Sequence, residues 1–145
     1  MKTKLSILIL AISTVLAFAH EGVERGPNGG RILEFSKDET MHGEVTVKGD
    51  KFHVAVLDKD MKPVVMGKQS LVATTGDRDN PTKLDVTTDA KGFILPLVKE
   101  GDWLILRYKE SPDAKVITAR LEYNTKTCEG CQAPEWLCKC EKEKK

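Results

Sequence analysis

From Ile32 onward, apolar side chains come in short runs of β-branched and aliphatic residues, and the breaks between the runs are rich in Gly, Asp, Asn, Ser and Pro. This spacing predicts strands at 31–35, 43–48, 51–57, 70–75, 83–88, 92–98, 102–109 and 115–123. No stretch between them repeats its apolar positions every 3.6 residues, so the helices that a parallel βαβ architecture needs are missing. The expected fold class is all-β: a single immunoglobulin-like or related sandwich over residues 31–123. A short irregular arm (20–30) precedes it, and a Cys-containing charged tail (124–145) follows it.

One hairpin can be read residue by residue. A two-residue turn at Gly49-Asp50 pairs Lys48 with Lys51, Val47 with Phe52, Thr46 with His53 and Val45 with Val54. Side chains alternate across a strand, so Val45, Val47, Phe52, Val54 and Val56 share the core face. His42, Glu44, Thr46, Lys48, Lys51 and His53 share the other face, which is expected to meet water. A one-residue slip would exchange the two faces, so the pattern sets the register. The stretch Asp89–Gly92 lies between Leu84/Val86/Thr88 and Phe93/Leu95/Leu97 and predicts a second hairpin. Trp103, Leu104, Ile105, Leu106 and Tyr108 form the most apolar strand, expected to be central. Ile117, Ala119, Leu121 and Tyr123 alternate with Thr118, Arg120 and Glu122, as in a half-buried strand.

Residues 1–19 follow a different pattern. Lys2 and Lys4 precede a run from Leu5 to Phe18 of mainly apolar residues, and Ala17-Phe18-Ala19 supplies the small residues of a cleavage site. This is the form of a secretory signal peptide, cut after Ala19. The apolar run is about 14 residues, short of the ~20 that span a bilayer, and no other segment is long and apolar enough to do so. The expected location is the periplasm or the exterior, where thiols can oxidise. The whole chain has a formal net charge of +1. Without Lys2 and Lys4, 21 basic side chains face 22 acidic ones over 126 residues, a net charge of −1. Binding nucleic acid through bulk positive charge is therefore excluded.

The tail contains all four cysteines, in the segment TCEGCQAPEWLCKC with spacing C-x2-C-x6-C-x-C. Cys128, Cys131, Cys138 and Cys140 are close enough in sequence to wrap one soft ion. Gly130 loosens the first pair and Pro134 turns the chain back. Zinc accepts four thiolates, and Cu(I) takes soft thiolates at lower coordination number. Zinc ribbons space their two knuckles about 15–20 residues apart, so this is not that motif. Disulfides are the other reading in an exported chain, for example Cys128 with Cys140 and Cys131 with Cys138. A CxxC redox couple at Cys128–Cys131 is a third. No helix is predicted to follow it, and Glu129 is expected to raise the thiol pKa.

Other candidates carry less chemistry. Signal cleavage would make His20 the amino terminus, where its amine and imidazole can chelate Cu(II); a frayed terminal residue is the plainer reading. His42 and His53 lie about 14 Å apart along the proposed hairpin, too far to share an ion. Asp58 and Asp60 begin like a calcium loop, but the glycine and glutamate of an EF-hand are absent, so a turn is expected. Met41, Met61 and Met66 suit core gap-filling as well as Cu(I). No nucleophile elbow or phosphate-binding glycine loop occurs, and no enzymatic activity is expected.

The lead-in HEG…GPNGGRILEF and the hairpin segment FHVAVLDKDMKPV resemble small exported bacterial β-sandwich proteins associated with heavy-metal efflux. The stretch is also similar to the N-terminal region of periplasmic adaptor subunits of efflux pumps. The resemblance covers about residues 20–65 and does not include the Cys tail. Members often carry a His-rich segment before GPNGG, where this chain has His20 alone. The resemblance implies a periplasmic accessory role in metal handling, with a metal efflux component as partner. The functional expectation is a periplasmic copper- or zinc-binding accessory protein, with Cys128, Cys131, Cys138, Cys140 and His20 as candidate ligands. A secreted structural or interaction module with a disulfide-stapled tail is the alternative.

Overall fold

The hairpin at Gly49-Asp50 forms in the expected register. Strands β2 (Met41–Lys48) and β3 (Lys51–Asp58) pair antiparallel, with Lys48 opposite Lys51, Thr46 opposite His53 and Val45 opposite Val54. Gly49 takes φ +62°, as a tight two-residue turn requires. The structure is a computed structural model that describes residues 23–77 and 79–140. Among these residues the chain forms nine strands. The others are β1 (Arg31–Glu34), β4 (Ser70–Thr75), β5 (Thr82–Leu84), β6 (Thr87–Asp89), β7 (Gly92–Pro96), β8 (Trp103–Lys109) and β9 (Ile117–Glu122).

They form two antiparallel sheets, ordered β1-β2-β3-β7-β6 and β5-β4-β8-β9. The inward faces meet in one core. Val45, Phe52, Val54, Val56, Phe93 and Leu95 come from the first sheet; Leu71, Ala73, Leu104, Leu106, Tyr108 and Leu121 come from the second. The all-β sandwich is therefore observed. The apolar strand β8 is interior to its sheet, between β4 and β9. Ala119, Leu121 and Tyr123 are buried in alternation along and just beyond β9.

Two expectations need correction. The single strand expected at 83–88 is two strands in different sheets. Strand β5 pairs with β4, and β6 pairs with β7 through Asp89 opposite Gly92. The chain crosses from one sheet to the other at Asp85-Val86, so Leu84 leaves the second hairpin, which keeps its turn.

The second correction concerns the outer face of the first hairpin. Glu44 and His42 were expected in water, yet Glu44 is 0% exposed and His42 is buried. The register is not the reason; for Glu44 it is the N-terminal arm. The arm turns at Gly26–Gly29, returns through Gly26 N–H to Gly30 C=O at 3.0 Å, and lies over β2. The Glu44 carboxylate accepts from Asn28 N–H (2.8 Å), Asn28 Nδ2 (2.7 Å) and Gly30 N–H (2.9 Å). A charge can stay buried when several donors replace its hydration. The Gly-Pro-Asn-Gly-Gly lead-in is thus a clasp built around one carboxylate. His42 is buried beside β1 instead, with Nδ1 3.1 Å from Glu34 Oε1 of the residue opposite it.

The remaining small features match their plain readings. Asp58 Oδ1 accepts from the backbone N–H of Asp60 (2.8 Å) and Lys62 (3.0 Å), which makes a turn and holds the carboxyl below its usual range. Met41 and Met66 pack against the core edge. No helix among the described residues is long and apolar enough to cross a membrane.

Candidate metal centre

The Cys segment begins at Asn124, directly after Tyr123, the core residue just beyond β9. Residues 124–128 run out and 133–136 return beside them as a small backbone-paired loop. Trp136 N–H donates to Asn124 C=O (2.9 Å), Glu135 N–H to Lys126 C=O (2.8 Å) and Cys128 N–H to Ala133 C=O (2.8 Å). Gln132 N–H closes the far end on Cys128 C=O (2.9 Å), with Gln132 itself at φ 60°. A 3-10 turn, Glu135–Leu137, then swings the chain back so that Cys138 and Cys140 face the loop.

Trp136 fixes this arrangement to the sandwich. Its ring belongs to the hydrophobic core and meets Tyr123 (centroids 5.6 Å) and Phe52 (6.4 Å) edge to face. Its carbonyl accepts from Arg31 Nη1 at 3.4 Å. The segment and the sandwich therefore share one core through an aromatic anchor placed between Cys131 and Cys138.

The four sulfurs converge. Sγ–Sγ separations are 3.2 Å for Cys128–Cys138, 3.5 Å for Cys131–Cys138 and 3.9 Å for Cys128–Cys140. All four sulfurs lie within 4.8 Å of one another. A tetrahedron with metal–sulfur bonds of about 2.3 Å places its sulfurs about 3.8 Å apart, within this range. A disulfide needs about 2.05 Å, and all four cysteines are free thiols. Four clustered cysteines in this geometry can hold a metal ion. Among the described residues they are the group of three or more His, Cys, Asp or Glu side chains whose ligand atoms come together.

Two features of the backbone support the cluster. Cys138 Sγ accepts from Cys140 N–H at 3.3 Å, and Cys131 Sγ accepts from Ala133 N–H. Both are bonds to the amide two residues on, which favour negative sulfur. Gly130 leaves the space: a Cβ there would lie 3.0 Å from Cys140 Sγ and 3.8 Å from Cys128 Sγ.

The thiols are not equivalent. The Ala133 N–H, followed by the hydrogen bond with Cys138, lowers the Cys131 pKa to about 7. At Cys131 the shift is opposite to the one expected from Glu129, and its largest cause is the Ala133 backbone donor. Cys138 is raised, chiefly through its hydrogen bond with Cys128, and Cys140 is pushed up to about 12 by its bonds with Cys131 and Cys138. Four thiols in contact cannot all ionise at low cost, and an ion at their centre removes that conflict.

The sequence readings now separate. Cys128, Cys131, Cys138 and Cys140 are brought together. His20 lies outside the described residues, as do the expected signal segment, residues 1–19, and residues 141–145. His42 is tied to Glu34, and His53 lines a groove near Thr46 and Lys48, so neither joins a ligand cluster. Sequence reasoning missed Trp136 as a core residue and Glu44 as the clasp of the arm. A lone tryptophan in an otherwise polar tail was the available signal for the first. The turn-rich GPNGG segment upstream of a mid-strand glutamate was the signal for the second.

A scan against protein-family models and searches of curated proteins and of solved structures find no match to this chain.

Proposed function

We propose that this chain is an exported protein of the periplasm that binds one soft metal ion per chain at Cys128, Cys131, Cys138 and Cys140, and serves metal handling as an accessory rather than as an enzyme. The observation that carries this reading is the convergence of four free thiols at tetrahedral rather than disulfide spacing. A closed set of four thiolates suits zinc, and Cu(I) fits if one sulfur is released. The charged start, short apolar run and Ala17-Phe18-Ala19 site support export. The likeness of the lead-in to exported efflux-associated proteins supports a metal efflux component as the partner. His20, as the mature amino terminus, is a second candidate for Cu(II).

Native mass spectrometry of the protein recovered from the exporting cell tests the proposal. The expected species starts at His20 and carries one zinc or copper ion, with every thiol free after chelation. A metal-free chain lighter by the hydrogens lost to disulfides, and unable to take up zinc or Cu(I) after reduction, would sink the metal reading. It would leave the disulfide-stapled interaction module.

A further inference from the structure

The geometry points to a one-sided centre, in which the ion enters and leaves by thiol-for-thiol exchange at Cys131 while Cys128 and Cys138 hold it; the exchanging partner offers a soft thiol or thiolate. This rests on the soft-metal reading above. The fold covers the four cysteines unevenly. Cys138 is 4% exposed and Cys128 is 8% exposed, and their sulfurs are 3.2 Å apart. Both are anchored. Cys128 is bonded to Ala133 through the loop ladder, and Cys138 follows the 3-10 turn that carries the core residue Trp136. Cys131 is exposed, at the apex of the loop, and is followed by Gln132 in the left-handed region. Cys140 is intermediate, its sulfur beside Gly130 and its N–H bonded to Cys138 Sγ.

A centre built only to staple the tail would gain from burying all four ligands. This fold buries one pair and leaves the apex cysteine, Cys131, exposed. An incoming thiol can therefore reach the ion without unfolding the loop. In the step, a lone pair of the incoming thiolate forms a sulfur–metal bond while the Cys131 Sγ–metal bond breaks. Cys131 departs as a thiolate and takes a proton from water, and an incoming thiol gives its proton to water. No electron is transferred, and the ion keeps its oxidation state. Repeating the exchange at Cys140 and then at the buried pair completes the transfer.

The test loads the reduced protein with zinc and follows transfer to a chromophoric chelator while glutathione, as the probe thiol, is varied. Release should rise in proportion to glutathione concentration. Cys131→Ser should keep one bound zinc and release it several-fold faster, because the incoming thiol meets an open side. Cys138→Ser should lower zinc affinity by more than an order of magnitude, since it removes a buried anchoring ligand. A second measurement needs neither metal nor the folding of a variant. Substoichiometric iodoacetamide on reduced, metal-free protein, followed by peptide mapping, should alkylate Cys131 ahead of Cys128 and Cys138. Zinc release independent of glutathione, equal affinity losses for the two variants, or alkylation without preference overturns the exchange mechanism while one zinc still binds. Failure of the reduced wild-type protein to bind zinc or Cu(I) instead defeats the underlying metal reading.

Discussion

Glu44→Ala is expected to destabilise the sandwich far more than its place on the outer face of a hairpin suggests. The side chain is 0% exposed and accepts three N–H donors. Truncation leaves the Gly30 N–H buried without its acceptor, at a cost of about 1–3 kcal/mol. The two Asn28 donors are nearer solvent, so water can replace part of their bonding and each loss is about 1 kcal/mol. The sum is about 3–5 kcal/mol, a large share of the roughly 5–15 kcal/mol that holds a domain folded. Glu44→Gln separates charge from occupancy. One oxygen remains for Asn28 N–H and Gly30 N–H, and the new amide meets Asn28 Nδ2 donor to donor. A flip of the Asn28 amide repairs that clash, so the cost should fall to about 1–2 kcal/mol. Urea unfolding followed by tryptophan fluorescence measures both variants, provided the denaturant slopes match. Loss of less than about 0.5 kcal/mol in Glu44→Ala, the range of an ordinary surface substitution, would refute the buried clasp.

The remaining predictions concern the core and the centre. Val54→Asp should unfold the domain, since Val54 is 1% exposed and an unpaired buried charge adds to the lost packing, whereas His53→Ala should be nearly neutral; circular dichroism of the two variants checks the register. Trp136→Ala should cost about 3–5 kcal/mol in urea unfolding and also weaken zinc binding, because the same side chain anchors the core and positions Cys138. Zinc affinity should rise with pH, because bound thiolates must first lose their protons. The slope should drop by about one proton as pH passes the Cys131 value of about 7. It should stay positive above that, because Cys138 and Cys140 are raised and still hold protons; competition titrations at several pH values read it.

The first hairpin was legible because its information is local. A Gly49-Asp50 turn and strict alternation on both sides leave one register that buries Val45, Phe52, Val54 and Val56. The fate of its outer face was not legible. Glu44 is buried by residues 14 and 16 positions upstream, and alternation within a strand carries no record of what a distant arm will cover. The crossing at Asp85-Val86 was hidden for a related reason: an unbroken β-type run reads the same whether it stays in one sheet or changes to the other. The cysteines announced themselves by composition. Their spacing allowed both disulfides and a metal, because the sulfur separations depend on the 124–136 backbone ladder and on the Trp136 anchor.

X-ray absorption at the zinc edge of the zinc-loaded, reduced protein tests the four-thiolate centre most directly. The expected spectrum is that of one zinc per chain surrounded by four sulfur neighbours at about 2.3 Å. A shell with nitrogen or oxygen in place of two or more sulfurs, or zinc that washes out before the spectrum is taken, would contradict it.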